Sequence, residues 1–175
     1  MNSGDISQRQ RDVLERLHSL PVKILSLHEH ECLSDLVLHD LCGPHCFNLK
    51  KAAYLVDNPD FDCSRGVAGF SADEPYQGLV NAWDNPQEFA KYARAARFNQ
   101  KVRALHYVSI MKHNTDYIIK QLAHDLGIRD PFFYTWGAKH GNHGVVIGEH
   151  ADKSEDETSK YLPQGLGLLG FCPLV

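Results

Sequence analysis

Short apolar runs and helix-period apolar stripes alternate along this chain, and that alternation constrains its fold more than any other feature. Four runs are short and bounded by proline, glycine or Asx residues, a pattern typical of β-strands: residues 22–27, 50–56, 132–136 and 144–147. Three other segments repeat apolar residues at the spacing of a helix. The pattern predicts an α+β fold in which a small mixed or antiparallel sheet of about four strands is covered by about three helices.

The first helix is predicted from about residue 5 to residue 19. Asp5 or Ser7 would cap it, and Pro21 would end it before the first strand. Further on, residues 64–77 contain two glycines and a proline, which disfavour a regular helix. We therefore expect an ordered loop there.

The other two helices occupy the middle of the chain. Pro86 suits the first turn of one helix, whose apolar stripe continues as far as Leu105. The next has Asn114 or Thr115 as its N-cap and Gly127 as its C-terminal stop. Both are predicted to act as scaffold.

The size and charge of the chain limit the classes of protein to which it can belong. Its 175 residues are close to the usual size of one domain, which predicts a single globular domain over residues 1–175. No basic segment precedes an apolar stretch at the N-terminus, and no run approaches the roughly 20 apolar residues that span a bilayer. We therefore expect a cytoplasmic protein with no membrane partner. A net charge of -4, with basic residues scattered among acidic ones, argues against nucleic acid.

Cysteine and histidine are concentrated in one segment. The chain has 5 cysteines and 11 histidines, and without a signal sequence we expect reduced thiols. Seven of these residues lie between positions 28 and 46: His28, His30, Cys32, His39, Cys42, His45 and Cys46. In a strand the first three would share one face, and the Gly43-Pro44 pair could turn the chain so that the others approach them.

Such a density of soft and borderline ligands predicts a metal-binding protein with zinc or iron as its cofactor. Four protein ligands would make the site structural, whereas three would leave a position for water and allow hydrolysis. The sequence does not choose between these roles, so whether the protein is an enzyme stays open.

A second hypothesis joins Cys63 to His140 or His143, both in the predicted hairpin loop. The fragments Asp62-Cys63-Ser64 and, from His143 onward, His-Gly-Val-Val-Ile-Gly resemble the nucleophile and histidine-strand segments of the NlpC/P60 cysteine peptidases, in the same order along the chain. The resemblance covers about nine residues. It implies a cysteine hydrolase in which Cys63, opening a helix, is the nucleophile and His143 is the general base.

A third hypothesis requires no chemistry of these side chains. Free cysteines are among the most buried residue types, so the cysteines could pack as small apolar residues in a metal-free interaction protein. The sequence leaves open whether the partner is a small molecule or a protein, and it does not indicate an oligomeric state.

Overall fold

A computed structural model describes residues 7–152 and 157–174 of the chain. The helices and strands of this described part follow one another in the order α1 (Gln8–Ser26), α2 (Leu33–Cys42), β1 (Leu49–Asn58), β2 (Cys63–Ser71), α3 (Pro86–Ala95), α4 (Arg97–Arg103), β3 (His106–Tyr107), α5 (Thr115–Leu126), β4 (Phe132–Gly137), β5 (His143–His150) and α6 (Leu162–Gly167). No helix within these residues is long and apolar enough to cross a membrane.

The strands form one antiparallel sheet in the order β3-β2-β1-β5-β4. The predictions of strands at residues 50–56, 132–136 and 144–147 are confirmed, because these segments lie in β1, β4 and β5. The α+β class is therefore confirmed. The described residues contain five strands and six α-helices, more of each than the sequence pattern predicted.

The central strand β1 is buried on both of its faces. Ala52 and Tyr54 belong to the core cluster that α1, α2 and α6 cover, whereas Ala53 and Leu55 belong to the cluster that α4 and α5 cover. Successive side chains of a strand point to opposite faces, so a strand between two helical layers needs apolar residues at nearly every position. This explains why β1 reads as a continuous apolar run rather than as an alternating one.

The predicted strand at residues 22–27 is wrong, because α1 continues as a helix through Pro21 to Ser26. Ser7 caps the helix by accepting a hydrogen bond from the Gln10 backbone N–H at 3.1 Å, while Asp5 lies outside the described residues. A proline inside a helix costs about 3 kcal/mol. Burial of Leu20 and Ile24, on the same face, contributes about 2 kcal/mol each and outweighs that cost.

The loop expected at residues 64–77 is also wrong for residues 64–71, which form β2. The backbone at Gly66 and Gly69 lies against α4, and a Cβ atom on Gly66 would sit 1.7 Å from the carbonyl oxygen of Val102. The Gly66 N–H donates to the Leu105 carbonyl at 3.2 Å, and the Gly69 N–H donates to Asn99 Oδ1 at 2.7 Å. The glycines thus mark close packing of a helix on a strand, not a loop.

The helices in the middle of the chain agree in most respects with those predicted from the sequence. Pro86 lies in the first turn of α3, but a break at Ala96 separates α3 from α4. Asn114 caps α5 by accepting from the Tyr117 N–H at 3.1 Å. Gly127 ends α5 with a left-handed φ of 63°. The predicted caps of α5 are therefore confirmed, and the single long stripe after Pro86 is two helices.

Asp57, at the end of β1, joins the sheet to the segment that follows β3. Its carboxylate is fully buried and accepts hydrogen bonds from the hydroxyl of Ser64, from the hydroxyl of Ser109 at 2.9 Å and from the Ile110 N–H at 2.7 Å. Without the carboxylate the Ser109 hydroxyl would lose its acceptor. The Ser64 hydroxyl and the Ile110 N–H would keep only longer contacts, at 3.3 Å to the Val108 carbonyl and at 3.2 Å to Ser64 Oγ, respectively. The network therefore holds the start of the 108–114 segment against the sheet.

We expect Gly66→Ala to lower the free energy of unfolding by about 3 kcal/mol, because the added methyl group meets backbone atoms of Val102 that no side-chain rotation can move. Urea unfolding followed by circular dichroism measures the change. Gly137→Ala is the matched control, since a Cβ atom there meets no other atom within 4 Å. Equal stability of the two variants would contradict the close packing of α4 on β2.

We expect Asp57→Ala to lower the free energy of unfolding by about 3 kcal/mol, because it removes a buried carboxylate that accepts hydrogen bonds from three buried donors. Asp60→Ala, which removes a carboxylate from an exposed residue of the same turn, should change the stability by less than about 0.5 kcal/mol. The same urea titration compares the two. An Asp57→Ala variant as stable as Asp60→Ala would contradict a stabilising role for this network.

Candidate functional site

A cleft of about 610 Å³ lies where β1 ends and β2 begins. Its walls include Val56 and Asn58 from β1 and Cys63 and Arg65 from β2. Further lining residues come from the turn between the two strands, from the start of α2 and the segment just before it, from the end of α4, from the residue before β5 and from residues 173–174. Its volume is within the range of about 300–1,000 Å³ that small-molecule sites occupy.

The register of the sheet explains which side chains reach the cleft. Asn58 lies directly opposite Cys63, and Val56 lies opposite Arg65. Opposite residues of an antiparallel pair share a face, and residues two apart on a strand do so as well. These four residues therefore belong to one face of the sheet, which is the face that the cleft occupies.

A buried carboxylate anchors one basic residue of the cleft wall. Arg103 Nη2 lies 2.5 Å from Oδ2 of Asp35, whose side chain is almost fully buried, and Asn99 Nδ2 donates to Asp35 Oδ1 at 2.9 Å. Burial raises the pKa of Asp35, and the Arg103 guanidinium opposes part of that rise. Arg103 is thus held at the cleft by an ion pair inside the fold.

The other polar side chains of the lining form fewer hydrogen bonds and ion pairs with the residues of the cleft. Glu31 is ion-paired with Arg94, outside the cleft. Arg65 is exposed and has no hydrogen-bond or ion-pair partner among the described residues. Asn142 Oδ1 is buried and likewise has no hydrogen-bond partner in that part of the chain. Arg65 therefore gives the cleft hydrogen-bond donors whose capacity the fold itself does not use.

The structure does not bring Cys63 and His143 together. His143 lies opposite Asp57, whereas Cys63 lies opposite Asn58, so the two side chains belong to opposite faces of the sheet. Cys63 lines the cleft and His143 does not. Cys63 also begins strand β2 and not a helix, in contrast to what the peptidase resemblance implies. The geometry therefore argues against a nucleophile and base made from this pair.

The histidines of the predicted metal segment are separated. His28 is exposed after α1, where its Nδ1–H donates to the Leu25 carbonyl at 3.1 Å, and His45 is exposed in the turn after α2. His39 lies in an aromatic cluster, 5.2 Å from the ring centre of Phe89. Burial lowers the pKa of His39, which favours the neutral ring in that cluster.

The cysteines of the segment are core residues. Cys42 and Cys46 are fully buried, and burial raises the pKa of Cys42 well above its usual value and that of Cys46 to about 12. Cys32 is buried as well, with its Sγ 3.0 Å from Nδ1 of His30. Burial raises the pKa of Cys32 to about 11, so its thiol carries a proton at neutral pH.

The seven predicted ligands therefore do not converge on one point. His28, His30 and Cys32 follow a helix and do not share the face of a strand, since residues 22–26 belong to α1. Within residues 7–152 and 157–174, no three His, Cys, Asp or Glu side chains are arranged so that they could hold a metal ion. Among the seven side chains, those of His30 and Cys32 lie in contact with each other.

Arg65, Arg103 and Asn142, which line the cleft, were not among the site residues predicted from the sequence. One signal could have found Arg65: read as a strand, residues 63–67 place Cys63, Arg65 and Val67 at alternate positions. The glycines at 66 and 69 concealed that pattern. Arg103 and Asn142 come from distant segments, so no local spacing could have joined them to Cys63.

Comparison of the chain with protein-family models, with curated proteins and with solved structures found no match. No relative therefore suggests a ligand or a reaction for the cleft. Side-chain chemistry and geometry are the available grounds for inferring its function.

Proposed function

We propose that the protein binds a small organic molecule in the cleft between the ends of β1 and β2. The observation that carries this proposal is a cavity of about 610 Å³ whose lining includes Arg65, a guanidinium group that the fold does not use. Small-molecule sites typically combine an apolar wall with a few such polar groups. Val56, Val67 and Pro173 supply the apolar wall here.

Cys63 supports the proposal because it is the one accessible thiol at the cleft. All five cysteines lie in the described part of the chain, and the other four are buried. A thiol in a ligand site can contact the ligand or react with it, whereas the buried thiols are shielded from both. Cys63 also provides a position at which the cleft can be filled or probed.

Two substitutions of Cys63 test the proposal. Cys63→Trp places a large ring in the cleft, whereas Cys63→Ser leaves the cleft open and changes little else. We expect compounds of a fragment library to bind the wild-type protein and the serine variant with similar affinity, and the tryptophan variant at least about tenfold more weakly. Ligand-observed NMR measures the binding, and circular dichroism checks that both variants fold.

Fragments that bind the tryptophan variant as well as the serine variant would contradict the proposal, because their site would lie elsewhere. An absence of fragment binding to the wild-type protein would contradict it too. The accessible thiol has an independent check: iodoacetamide should modify the native protein at Cys63 and leave the four buried cysteines unmodified until the protein unfolds.

Metal binding is a second candidate function, and the 3.0 Å contact between His30 and Cys32 favours it. A thiolate and an imidazole in contact form one edge of a zinc or iron coordination shell, provided that the thiol loses its proton. Protein zinc sites use three or four ligands, so this pair would need further ligands. Cys42 and Cys46, packed in the core, are poorer candidates than Cys32.

We expect any zinc or iron in protein purified without an affinity tag to disappear in Cys32→Ser and to remain in Cys42→Ala. The reason is that Cys32 contacts a histidine, whereas Cys42 is fully enclosed by the core. Elemental analysis of the three proteins measures the metal content. Wild-type protein without metal, or loss of metal in Cys42→Ala alone, would contradict a site at His30 and Cys32.

A further inference from the structure

We infer that the ligand of the cleft carries an acidic group, a carboxylate or a phosphate, which binds between Arg65 and Arg103. This inference rests on the proposed function, because it specifies the class of molecule that the same cleft binds. A guanidinium group presents its N–H donors in a planar fork that matches the oxygens of both acidic groups. Two such groups in the wall of one cleft favour a small organic acid as its ligand.

Arg65 is the group available for a ligand. It lies two residues from Cys63 on the same face of β2, which separates their Cα atoms by about 7 Å. Among the described residues no carboxylate or carbonyl oxygen accepts a hydrogen bond from its side chain. An exposed, unengaged guanidinium at a cleft can bind an anion without first breaking an ion pair.

Arg103 adds a second positive group whose position is fixed. Its Nη2 contacts Asp35 at 2.5 Å, and that carboxylate is also bound by Asn99. A guanidinium has five N–H donors, so one contact leaves others for a ligand. Arg103 therefore adds a preorganised donor, while Arg65 adds unpaired charge.

The remaining charges of the lining do not favour a cation. Glu31 is the only carboxylate among the described residues that line the cleft, and it is ion-paired with Arg94. A smaller cavity of about 190 Å³ shares Glu31 and Arg103 with the cleft and adds Arg94 and Asp35 to the wall. Arg94 and Arg103 are ion-paired with these two carboxylates, so among the described lining residues Arg65 supplies the one positive charge in excess, although the chain as a whole has a charge of -4.

Iodoacetate and iodoacetamide provide a matched pair of probes. Both alkylate a thiolate at the same carbon with loss of iodide, and they differ in that the first carries a carboxylate and the second a neutral amide. The ratio of their rates does not depend on the thiol pKa, because both reagents react with the same thiolate. At Cys63 we expect the ratio of the iodoacetate rate to the iodoacetamide rate to exceed that of N-acetylcysteine amide roughly tenfold.

Substitution of Arg65 distinguishes a local effect of its guanidinium group from an effect of the net charge of the protein. Arg65→Gln should return the ratio at Cys63 nearly to the value of the free cysteine derivative, whereas Arg11→Gln, which removes a charge from an exposed position of α1 outside the cleft, should leave it unchanged. Acetate or inorganic phosphate should slow the reaction of the wild-type protein with iodoacetate, and the more effective of the two identifies the preferred acidic group. Mass spectrometry of the Cys63 peptide follows each reaction.

A ratio equal to that of the free derivative, or one that Arg65→Gln leaves unchanged, would overturn the inference. Such a result would not overturn the proposed function if fragments still distinguish Cys63→Ser from Cys63→Trp, because the cleft would then bind molecules without an acidic group. Failure of both experiments would mean that the cleft is not a ligand site.

Discussion

The close contact between α4 and β2 is the constraint on which much of this structure depends. Gly66 and Gly69 remove two side chains from β2, so the backbone of α4 can approach the strand to a distance that a Cβ atom would not allow. Only at that distance can the amide of Asn99 accept from the Gly69 N–H while it donates to Asp35 and to the Ala93 carbonyl. One buried amide thus joins β2, α2 and the end of α3, since its oxygen accepts one hydrogen bond and its nitrogen donates two to these elements.

The same contact determines the charge of the cleft. With α4 held on β2, its last residue, Arg103, reaches the buried carboxylate of Asp35, and the guanidinium becomes part of the cleft wall. Removal of Arg103 would leave a buried carboxylate unpaired, which typically costs several kcal/mol. Arg65 has no such partner among the described residues, so its loss should affect ligand binding far more than stability. The two arginines therefore differ in role although they line one site.

The sequence predicted the parts of the fold in which local pattern and tertiary environment agree. β1, β4, β5 and the caps of α5 follow from short apolar runs and from capping residues. Pro21 and the glycines of β2 each have a local preference that packing overrides. The buried face of α1 outweighs a lost hydrogen bond, and α4 packs against β2 at the two positions that have no side chain. The cleft was not predictable in the same way, since its walls join residues about 140 positions apart.

Residue type alone also did not indicate which side chains are accessible for chemistry. His39 and Cys42 are typical metal ligands by composition, yet both lie on α2, where burial favours a neutral ring in an aromatic cluster and a protonated thiol in the core. Cys63 lies outside the dense segment and is the thiol that solvent can reach. The availability of a side chain for chemistry depends on the cost of charging it and on its access to a ligand, and both are properties of the folded environment. A helical segment rich in cysteine and histidine can therefore be scaffold, while a cysteine and an arginine on an adjacent strand form the more accessible site.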